Sequence, residues 1–396
     1  MNLDLIPDPI LGVAGPASIH PRVTRALTRL TSHRCAQFRR LYSETIEYLR
    51  QVIKTNGEVY LLTASGTGAV EAMIMNLIRP EDTVIIPIFG SFSKRLARQA
   101  ERVCKNVVTI SYSFGEVPTF EKIKHDVESL NIKNIDVVAL VYNETNPGTT
   151  LRDLPKIAKW FKDKGALVLV DNVSALGGDY YEMDKWHIDV TASSSQKCLG
   201  APPVMSFIAV NDEALKKIEN NSTQTTYFDL KIYRKFSQKM ETPFTPSVNL
   251  IYALREALKI IITEIGLENW IRWHLERARA IHESLVSVGL KPYVDNGNYR
   301  SNTVLPFYYP ENISSKEFIN RLERKYYTLI SDAMDEIKGR VFRVGNMGYL
   351  TRREVLTLIT SITAILLELN VKVDLNGLEK ALRIINNYWE PFTEHL

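Results

Sequence analysis

Short apolar runs alternate with longer amphipathic segments through the first half of the chain. Buried strands are predicted at Val59–Thr63, Thr83–Ile88, Val107–Tyr112, Val137–Tyr142, Ala166–Val170, Ile188–Ala192 and Met205–Val210. Segments with helical periodicity lie between them, at Ala69–Ile78, Ser91–Val103, Thr119–Leu130 and Leu154–Lys162. Strands that alternate with helices in this way are typical of a parallel sheet covered on both faces. We therefore predict an α/β fold in which helices sandwich a mostly parallel sheet.

The pattern changes after Asn211. Residues 212–241 are charged and polar, and a loop with repeated prolines precedes predicted helices from Val248 to about Glu264 and from Glu268 to Val288. Beyond them, strands are predicted at Thr303–Tyr309, Thr328–Asp332 and Val341–Val344, and helices at Ser315–Arg324, Thr351–Glu368 and Asn376–Asn387. We therefore predict a large domain at residues 22–264 and a smaller C-terminal α+β domain at residues 265–396.

The N-terminal residues 1–21 differ from both predicted domains. Prolines at positions 7, 9, 16 and 21 exclude a single helix there. We expect an extended arm that packs on another element. The neighbouring subunit is one candidate, because the arm has no evident place on its own subunit. Residues 22–54 are predicted to be helical, with a turn at residues 32–38.

Composition and charge narrow the class of protein. The chain of 396 residues carries 49 basic and 45 acidic residues, which are mixed along the sequence and leave a net charge of +4. Such a mild charge gives no reason to predict a nucleic-acid or membrane partner. The three cysteines lie far apart without metal-binding spacing, so we predict no metal site and expect a reducing, cytoplasmic location. The N-terminal segment has the pattern of neither a signal peptide nor a membrane span.

Polar residues follow two of the predicted buried strands. The run Ala166–Val170 ends at Asp171, and the run Ile188–Ala192 leads into the loop SSSQKCLGAPP, which contains Lys197. Ligands of open α/β sheets bind outside the carboxyl ends of the strands, where both residues are expected to project. The two could form a simple salt bridge, but a surface ion pair does not need a loop rich in Ser, Gly and Pro. A lysine that forms a Schiff base, with a carboxylate for a pyridinium nitrogen, is what pyridoxal phosphate chemistry requires.

A turn of small residues separates the first predicted strand from the buried helix that follows it. Ser65, Gly66 and Thr67 lie in this turn. A strand, a glycine turn and a helix present free backbone N–H groups and the positive end of a helix dipole to a phosphate. Small residues also let a helix pack closely on a strand, so the turn alone does not decide between the two roles.

Several stretches resemble, in the same order, those of class V aminotransferases, which are fold-type I pyridoxal phosphate enzymes. They are SGTG, VDNVSALGG, SSSQKCLGAPP, TPFTP, IYALREAL and FRVGNMG. The resemblance runs from about Gly15 to the C-terminus and points to the alanine–glyoxylate and serine–pyruvate aminotransferase group. It implies a fold-type I large domain, pyridoxal 5'-phosphate as the cofactor, and a homodimer with shared active sites.

The resemblance implies a role for each candidate residue near the cofactor. Lys197 would form the Schiff base and later move a proton between substrate and cofactor, while Asp171 would keep the pyridine nitrogen protonated. The implied cofactor-binding residues are Ser65, Gly66, Thr67, Phe92, Asn146, Asp171, Val173, Gln196, Lys197 and Thr245. Without the resemblance, Asp171 at a strand-to-helix turn would be interpreted as a helix cap.

Four of these roles depend on the resemblance alone. Phe92 and Val173 would pack against the two faces of the ring, although their residue types also suit a core. Asn146 would bond the ring 3-oxygen, although an Asn before a proline is also common in turns. Thr245 would reach the phosphate in the neighbouring subunit. The family often has a tyrosine where this chain has Thr242, so one phosphate contact is left unassigned.

Arg343 is the predicted substrate residue. It lies in FRVGNMG, in a short predicted strand that ends in glycines. A guanidinium group binds a carboxylate through two parallel hydrogen bonds, and amino acids and 2-oxo acids share that carboxylate. The resemblance implies that Arg343 and Asn146 contact the substrate. A surface salt bridge is the alternative for Arg343, but its apolar neighbours disfavour it.

We therefore expect an aminotransferase that moves an amino group between alanine or serine and glyoxylate or pyruvate. One alternative is another fold-type I reaction, such as 2-aminoethylphosphonate transamination or sulfur removal from cysteine. The latter needs a mobile nucleophilic cysteine, and none of Cys35, Cys104 and Cys198 lies in a suitable loop. A non-catalytic protein that binds pyridoxal phosphate is the third hypothesis, which the presence of Lys197 and Arg343 disfavours.

Overall fold

The computed structural model describes residues 8–391. The elements up to residue 259 are β1 (Ile10–Gly12), α1 (Pro21–Ala26), α2 (Ala36–Ile53), β2 (Glu58–Leu62), α3 (Gly66–Leu77), β3 (Thr83–Ile88), α4 (Ser91–Ala100), β4 (Asn106–Ser111), α5 (Phe120–Ser129), β5 (Val137–Val141), β6 (Asn143–Glu144), β7 (Thr149–Thr150), α6 (Leu154–Asp163), β8 (Leu167–Asp171), β9 (Val190–Ser194), β10 (Ser206–Val210), α7 (Asp212–Asn220), α8 (Leu230–Ser237) and α9 (Val248–Lys259). After a π-helical turn at Ile260–Ile265 come α10 (Leu267–Ser287), β11 (Val304–Tyr308), α11 (Ser315–Tyr326), β12 (Thr328–Asp332), a 3₁₀ turn at Asp335–Ile337, β13 (Val341–Gly345), α12 (Arg352–Glu368) and α13 (Leu375–Asn387).

A seven-stranded sheet forms the centre of the molecule, in the order β2-β10-β9-β8-β5-β3-β4. Strand β10 runs in the direction opposite to the other six strands of this sheet. Strand β5 shows why the sheet is covered on both faces, because its alternate side chains enter two different apolar clusters. Val137, Ala139 and Val141 pack in one cluster, while Val138 and Leu140 pack in the other. The predicted α/β fold with a mostly parallel sheet sandwiched by helices is confirmed.

The parallel strands all end at the same edge of this sheet. Strand β8 lies between β5 and β9, so Asp171 at its end is beside the segment that leads from β9 to Lys197. The turn after β2, which contains Ser65, also opens at this edge because β2 and β9 both pair antiparallel with β10. The fold therefore gathers the predicted cofactor residues at one edge of the sheet.

A four-stranded sheet in the order β1-β12-β13-β11 lies in the C-terminal part of the fold. Strand β1 comes from the N-terminal arm and pairs in parallel with β12, with Ile10 opposite Thr328. The expectation that the arm has no place on its own subunit is therefore wrong for residues 8–21; residues 1–7 lie outside the described part. Gly345 permits this packing, since a Cβ there would overlap the Val13 carbonyl oxygen.

Two predicted helices are shorter in the structure. The helix predicted from Val248 to about Glu264 is regular only to Lys259, where the π-helical turn begins, and Gly266 follows with a φ of +85°. The predicted helical region 22–54 contains two helices, α1 and α2, on either side of the expected turn. Within residues 8–391, no helix combines the length and apolar character required to cross a bilayer.

Candidate active site

Lys197 lies in the loop after β9, with its ammonium group in the interior of the site. Its Nζ donates a hydrogen bond to the Ala14 carbonyl oxygen. Burial lowers the pKa of Lys197 to about 8, and the charge of Arg343 acts in the same direction. An amine with such a pKa loses its proton near neutral pH, which is what a nucleophilic or proton-transferring lysine requires.

Asp171 is buried at the end of the neighbouring strand β8. The Val173 N–H donates to Asp171 Oδ1 over 2.9 Å. Burial raises the pKa of Asp171 to about 6, while the Val173 N–H and the charges of Arg95 and Lys197 oppose this shift. No donor in residues 8–391 contacts the second carboxylate oxygen, which is thus available to a cationic nitrogen.

The turn between β2 and α3 forms a cradle with unpaired polar groups. Ser65 caps α3, where its hydroxyl accepts a hydrogen bond of 3.2 Å from the Gly68 N–H. A Cβ at Gly66 would lie 2.9 Å from both Ser194 Oγ and Val173 Cγ1, so the turn, β9 and the segment after β8 converge there. The buried Ser194 hydroxyl has no hydrogen-bond partner among residues 8–391. A helix N-terminus with a free hydroxyl beside it fits the phosphate of pyridoxal 5'-phosphate.

Gln196 and Phe92 lie around the same cradle. The side-chain oxygen of Gln196 is buried and unpaired within the described part of the chain. The Gln196 amide is therefore free to bind a ligand. Rotation of the amide group would exchange the positions of its oxygen and its N–H₂ group, so that the N–H₂ group could donate to the ligand. Phe92 is half-buried in the first turn of α4. The structure thus brings Ser65, Gly66, Val173 and Gln196 together with Lys197 and Asp171 at the sheet edge.

Asn146 is fully buried, and both N–H groups of its amide donate hydrogen bonds within the protein. Its Nδ2 donates to Ser91 Oγ over 2.7 Å and to the Met334 carbonyl over 3.2 Å. Its Oδ1 accepts from the Met334 N–H over 3.0 Å. A bond from Asn146 to a cofactor oxygen would have to replace one of these contacts, so that role stays a prediction.

Arg343 lies in β13 with its guanidinium buried among backbone carbonyls. It donates to the Asp332 carbonyl over 2.6 Å through Nη2 and to the Thr145 carbonyl over 3.2 Å through Nη1. Only 6 % of the residue is exposed, and no carboxylate of residues 8–391 forms a salt bridge with it. Burial lowers the pKa of Arg343 to about 10. A buried cation that forms no salt bridge is suited to bind an external carboxylate.

The model of the Aminotransferase class-V family matches residues 20–327. The chain belongs to the class-V aminotransferase family. An uncharacterized aminotransferase of Methanocaldococcus jannaschii is 34% identical over 97% of this chain and 99% of its own length. A serine–glyoxylate aminotransferase of Methylorubrum extorquens is 31% identical, over 92% of both chains. The crystal structure of an alanine–glyoxylate aminotransferase from a Nostoc species has a TM-score of 0.86 at 31% identity, covering 91% of this chain and 96% of that one.

These likenesses confirm several predictions made from the sequence. The protein is a transaminase of the predicted class V family, and its cofactor is pyridoxal phosphate. The hypothesis of a non-catalytic binding protein is thereby disfavoured. Within residues 8–391, no group of three His, Cys, Asp or Glu side chains is placed to hold a metal ion.

Glu144 is a site residue of this aminotransferase that the sequence did not reveal. Its fully buried carboxylate accepts from the Phe92 N–H over 3.0 Å and from the Ser93 N–H over 2.6 Å. It thereby caps α4 and holds the turn that carries Phe92. Burial raises the pKa of Glu144 to about 7, against the effect of these hydrogen bonds. The position of an acid in NETNPGT gave no sign that it caps a helix lying earlier in the chain.

The N-terminal segment is a second part of the site that sequence analysis missed. The Ala14 carbonyl accepts from Lys197, and the Ala14 N–H donates to Ser331 Oγ over 3.2 Å, where Ser331 is paired with Arg343 across the sheet. Gly15 follows with a φ of +99°, and a Cβ there would collide with the Lys197 side chain. The segment therefore forms a wall of the site beside the lysine.

Thr245 and Thr242 lie in the loop before α9. Thr245 is exposed, and no hydrogen bond in the described part of the chain connects it to the Lys197 site. Thr242 is buried, and its hydroxyl donates to the Phe244 carbonyl over 2.9 Å. The Thr242 hydroxyl thus has a partner within its own loop, and the assignment of Thr245 to a neighbouring subunit stays a prediction.

Proposed function

We propose that this aminotransferase moves an amino group between a small amino acid, alanine or serine, and glyoxylate or pyruvate. The buried Arg343 guanidinium carries the proposal, because no carboxylate of residues 8–391 forms a salt bridge with it and its charge contributes to the lowered pKa of Lys197. An α-carboxylate bound there would place the adjacent Cα toward the lysine. One arginine serves both half-reactions, since the amino acid and the 2-oxo acid present the same carboxylate.

The residues divide the chemistry among them. Pyridoxal phosphate, when bound, supplies an electron sink for the electrons released at the substrate Cα. Lys197 accepts and returns the proton at Cα, for which its pKa of about 8 is suited. Asp171 would hold the ring nitrogen in its protonated form through the carboxylate oxygen that no residue in 8–391 contacts. The turn Ser65–Thr67 and Ser194 would fix the phosphate.

The N-terminal wall supports small substrates. Ala14 and Gly15 lie against the Lys197 side chain, and the φ of +99° at Gly15 disfavours any side chain there. A substrate held between Lys197 and Arg343 must therefore fit beside this backbone. The serine–glyoxylate and alanine–glyoxylate aminotransferases among the relatives are named for small substrates. A panel of amino donors against glyoxylate and pyruvate tests the proposal: large or cationic donors that exceed alanine and serine in kcat/KM would contradict it.

Sulfur removal from cysteine is less well supported. It requires an accessible, reactive thiol, and Cys198 and Cys104 are buried. Burial raises the pKa of the Cys198 thiol to about 12, which suppresses the thiolate that would react. Cys35 is partly exposed, and its hydrogen bond with Thr31 lowers the pKa of its thiol, but no hydrogen bond in residues 8–391 connects it to the Lys197 site. The free cysteines accord with a cytoplasmic location, which is part of the proposal.

A homodimer is the assembly that we propose for this enzyme. Beside the exposed Thr245, Tyr227 stacks on Phe244 with ring centroids 5.2 Å apart while 40% of Tyr227 remains exposed. Phe228 packs next to Gly68, which lies in the first turn of α3. A partly exposed aromatic surface next to the cofactor site is suited to pack against a second copy of the chain. Thr245 would then reach the partner's cofactor.

The dimer prediction concerns both mass and cofactor binding. Sedimentation at micromolar concentration should give a dimer. Thr245→Ala should weaken cofactor binding severalfold, because one hydroxyl contact to phosphate is lost. Thr226→Ala, in the adjacent segment before α8, is the matched control and should leave binding unchanged. An active monomer would refute the shared site.

Arg343→Lys tests the substrate class. The lysine keeps the charge but loses the planar pair of donors, which should lower kcat/KM by about ten- to a hundredfold. The loss should occur with alanine, serine and glyoxylate alike and spare an amine without a carboxylate, as measured in single-turnover reactions.

Arg340→Lys is the matched control, because Arg340 is exposed just before the same strand. It should behave as the wild type. Equal losses on the amine without a carboxylate would show that Arg343 is structural. No loss on any substrate would show that the carboxylate is bound elsewhere.

A further inference from the structure

Arg95 lies beside the turn Ser65–Thr67, and no role has been assigned to it so far. It is exposed on α4, one turn after Phe92, and no carboxylate of residues 8–391 forms a salt bridge with it. Its Nη1 donates to Thr67 Oγ1 over 3.3 Å. Its guanidinium carbon lies 4.9 Å from the centroid of the Phe92 ring. The guanidinium is therefore held at the edge of the cofactor site by Thr67 and Phe92 without being neutralised.

We propose that Arg95 is a positioning residue for the cofactor phosphate, which it stabilises through its charge and through the Thr67 hydroxyl. This inference rests on the proposed function, since it assumes that the Ser65–Thr67 turn binds that phosphate. Arg95 would act on the phosphate end of the cofactor, away from the atoms that react.

The direction of the hydrogen bond supports this role. A threonine hydroxyl has one hydrogen to donate and two lone pairs that accept. Because Arg95 donates to the Thr67 oxygen, the hydroxyl hydrogen remains free to donate to a phosphate oxygen. Gln99, one turn further along α4, donates to the Thr67 carbonyl over 3.4 Å. Two side chains of α4 therefore contact Thr67, one at its side-chain hydroxyl and the other at its backbone carbonyl.

The charge of the site leads to the same conclusion. The residues around the turn are neutral: Ser65, Gly66, Thr67, Ser194 and Gln196. A phosphate carries nearly two negative charges at neutral pH, and the hydroxyl of Thr242 is already bonded to the Phe244 carbonyl. Arg95 is the cation of the described chain that contacts this turn. Its field also lowers the pKa of both Asp171 and Lys197, so it reaches the site interior.

Binding of two ligands distinguishes a phosphate role from a general one. Equilibrium dialysis gives the dissociation constants of pyridoxal 5'-phosphate and of pyridoxal, which lacks the phosphate. Arg95→Gln should weaken binding of the phosphorylated ligand about tenfold and leave pyridoxal within about twofold. Arg98→Gln is the matched control, since Arg98 is exposed on the same helix and makes no hydrogen bond to the turn. It should bind both ligands as the wild type does.

A double-mutant cycle tests the connection through Thr67. Thr67→Val removes the hydroxyl, so the combined Arg95→Gln and Thr67→Val variant should lose less affinity than the product of the two single effects. Thermal unfolding of each variant verifies that the fold is intact.

Two results would overturn the inference. Unchanged binding in Arg95→Gln would make Arg95 an ordinary surface residue, and equal weakening of both ligands would assign it to the placement of Phe92. A wild-type protein that binds neither ligand would instead refute the proposed function, so the two failures are distinguishable.

Discussion

Lys197→Ala should lower transamination turnover by about 10³–10⁴-fold, because in the proposed mechanism Lys197 supplies both the amine that bonds to the cofactor and the group that transfers the proton. Burial lowers the pKa of Lys197 to about 8, whereas Lys159, for example, is exposed on α6 and pairs with Asp163. No neighbouring lysine in residues 8–391 is placed to substitute for it. Lys159→Ala should therefore keep wild-type turnover.

The same lysine should be identifiable chemically. Borohydride treatment of the cofactor-saturated wild type, followed by peptide mapping, should place the pyridoxyl group on Lys197. A label on another lysine would reject the assignment, whatever the activity of the alanine variant. Retained turnover in Lys197→Ala would reject the role of Lys197 in proton transfer.

Asp171→Asn should lower turnover by about 10²–10³-fold at saturating cofactor, while the affinity for the cofactor changes much less. In the role that we propose, the Asp171 carboxylate would favour the protonated ring nitrogen, which stabilises the transition state more than the resting enzyme. Asp163→Asn, an exposed carboxylate at the end of α6, is the control. An Asp171→Asn variant within a few-fold of the wild type would contradict the role.

The pH profile of the wild type provides an independent test of Asp171. The active form of this group is the carboxylate, and burial raises its pKa to about 6. Activity attributable to it should therefore be lost as the pH falls through about 6 or, where a bound cation lowers the pKa further, below that value. The Asn variant has no carboxylate to titrate, so this acid limb should disappear from its profile.

The sequence was sufficient to predict the residues that follow strands. Asp171 and Lys197 stand at the ends of short apolar runs, so strand periodicity placed both at one edge of the sheet. The structure has both strands, as β8 and β9, paired in parallel within the large sheet. Their chemical roles depended on residue type and on the family resemblance, which is why they stay predictions until measured.

Other residues of the site were hidden because their contacts join distant parts of the chain. Glu144 caps a helix whose residues come some fifty positions earlier, and no local pattern indicates such a pairing. Arg95 lies on the exposed face of an amphipathic helix, where an arginine is expected for solubility alone. The Ala14 carbonyl meets Lys197 across 183 positions of sequence. Only tertiary structure brings these groups together.

The pairing of β1 with β12 also bears on when the enzyme becomes functional during its synthesis. The ribosome produces β1 first, but its partner strand follows only after the whole seven-stranded sheet has been translated. Loops of this length close at an entropic cost that β12 and β13 must first offset. Until then Ala14 lacks its hydrogen bond to Ser331 of β12, although Lys197 itself was made much earlier. A nascent chain that ends before β12 therefore contains the strands of the central sheet and the lysine without the partner strand of β1 or the arginine of β13, and the site is complete only near the end of translation.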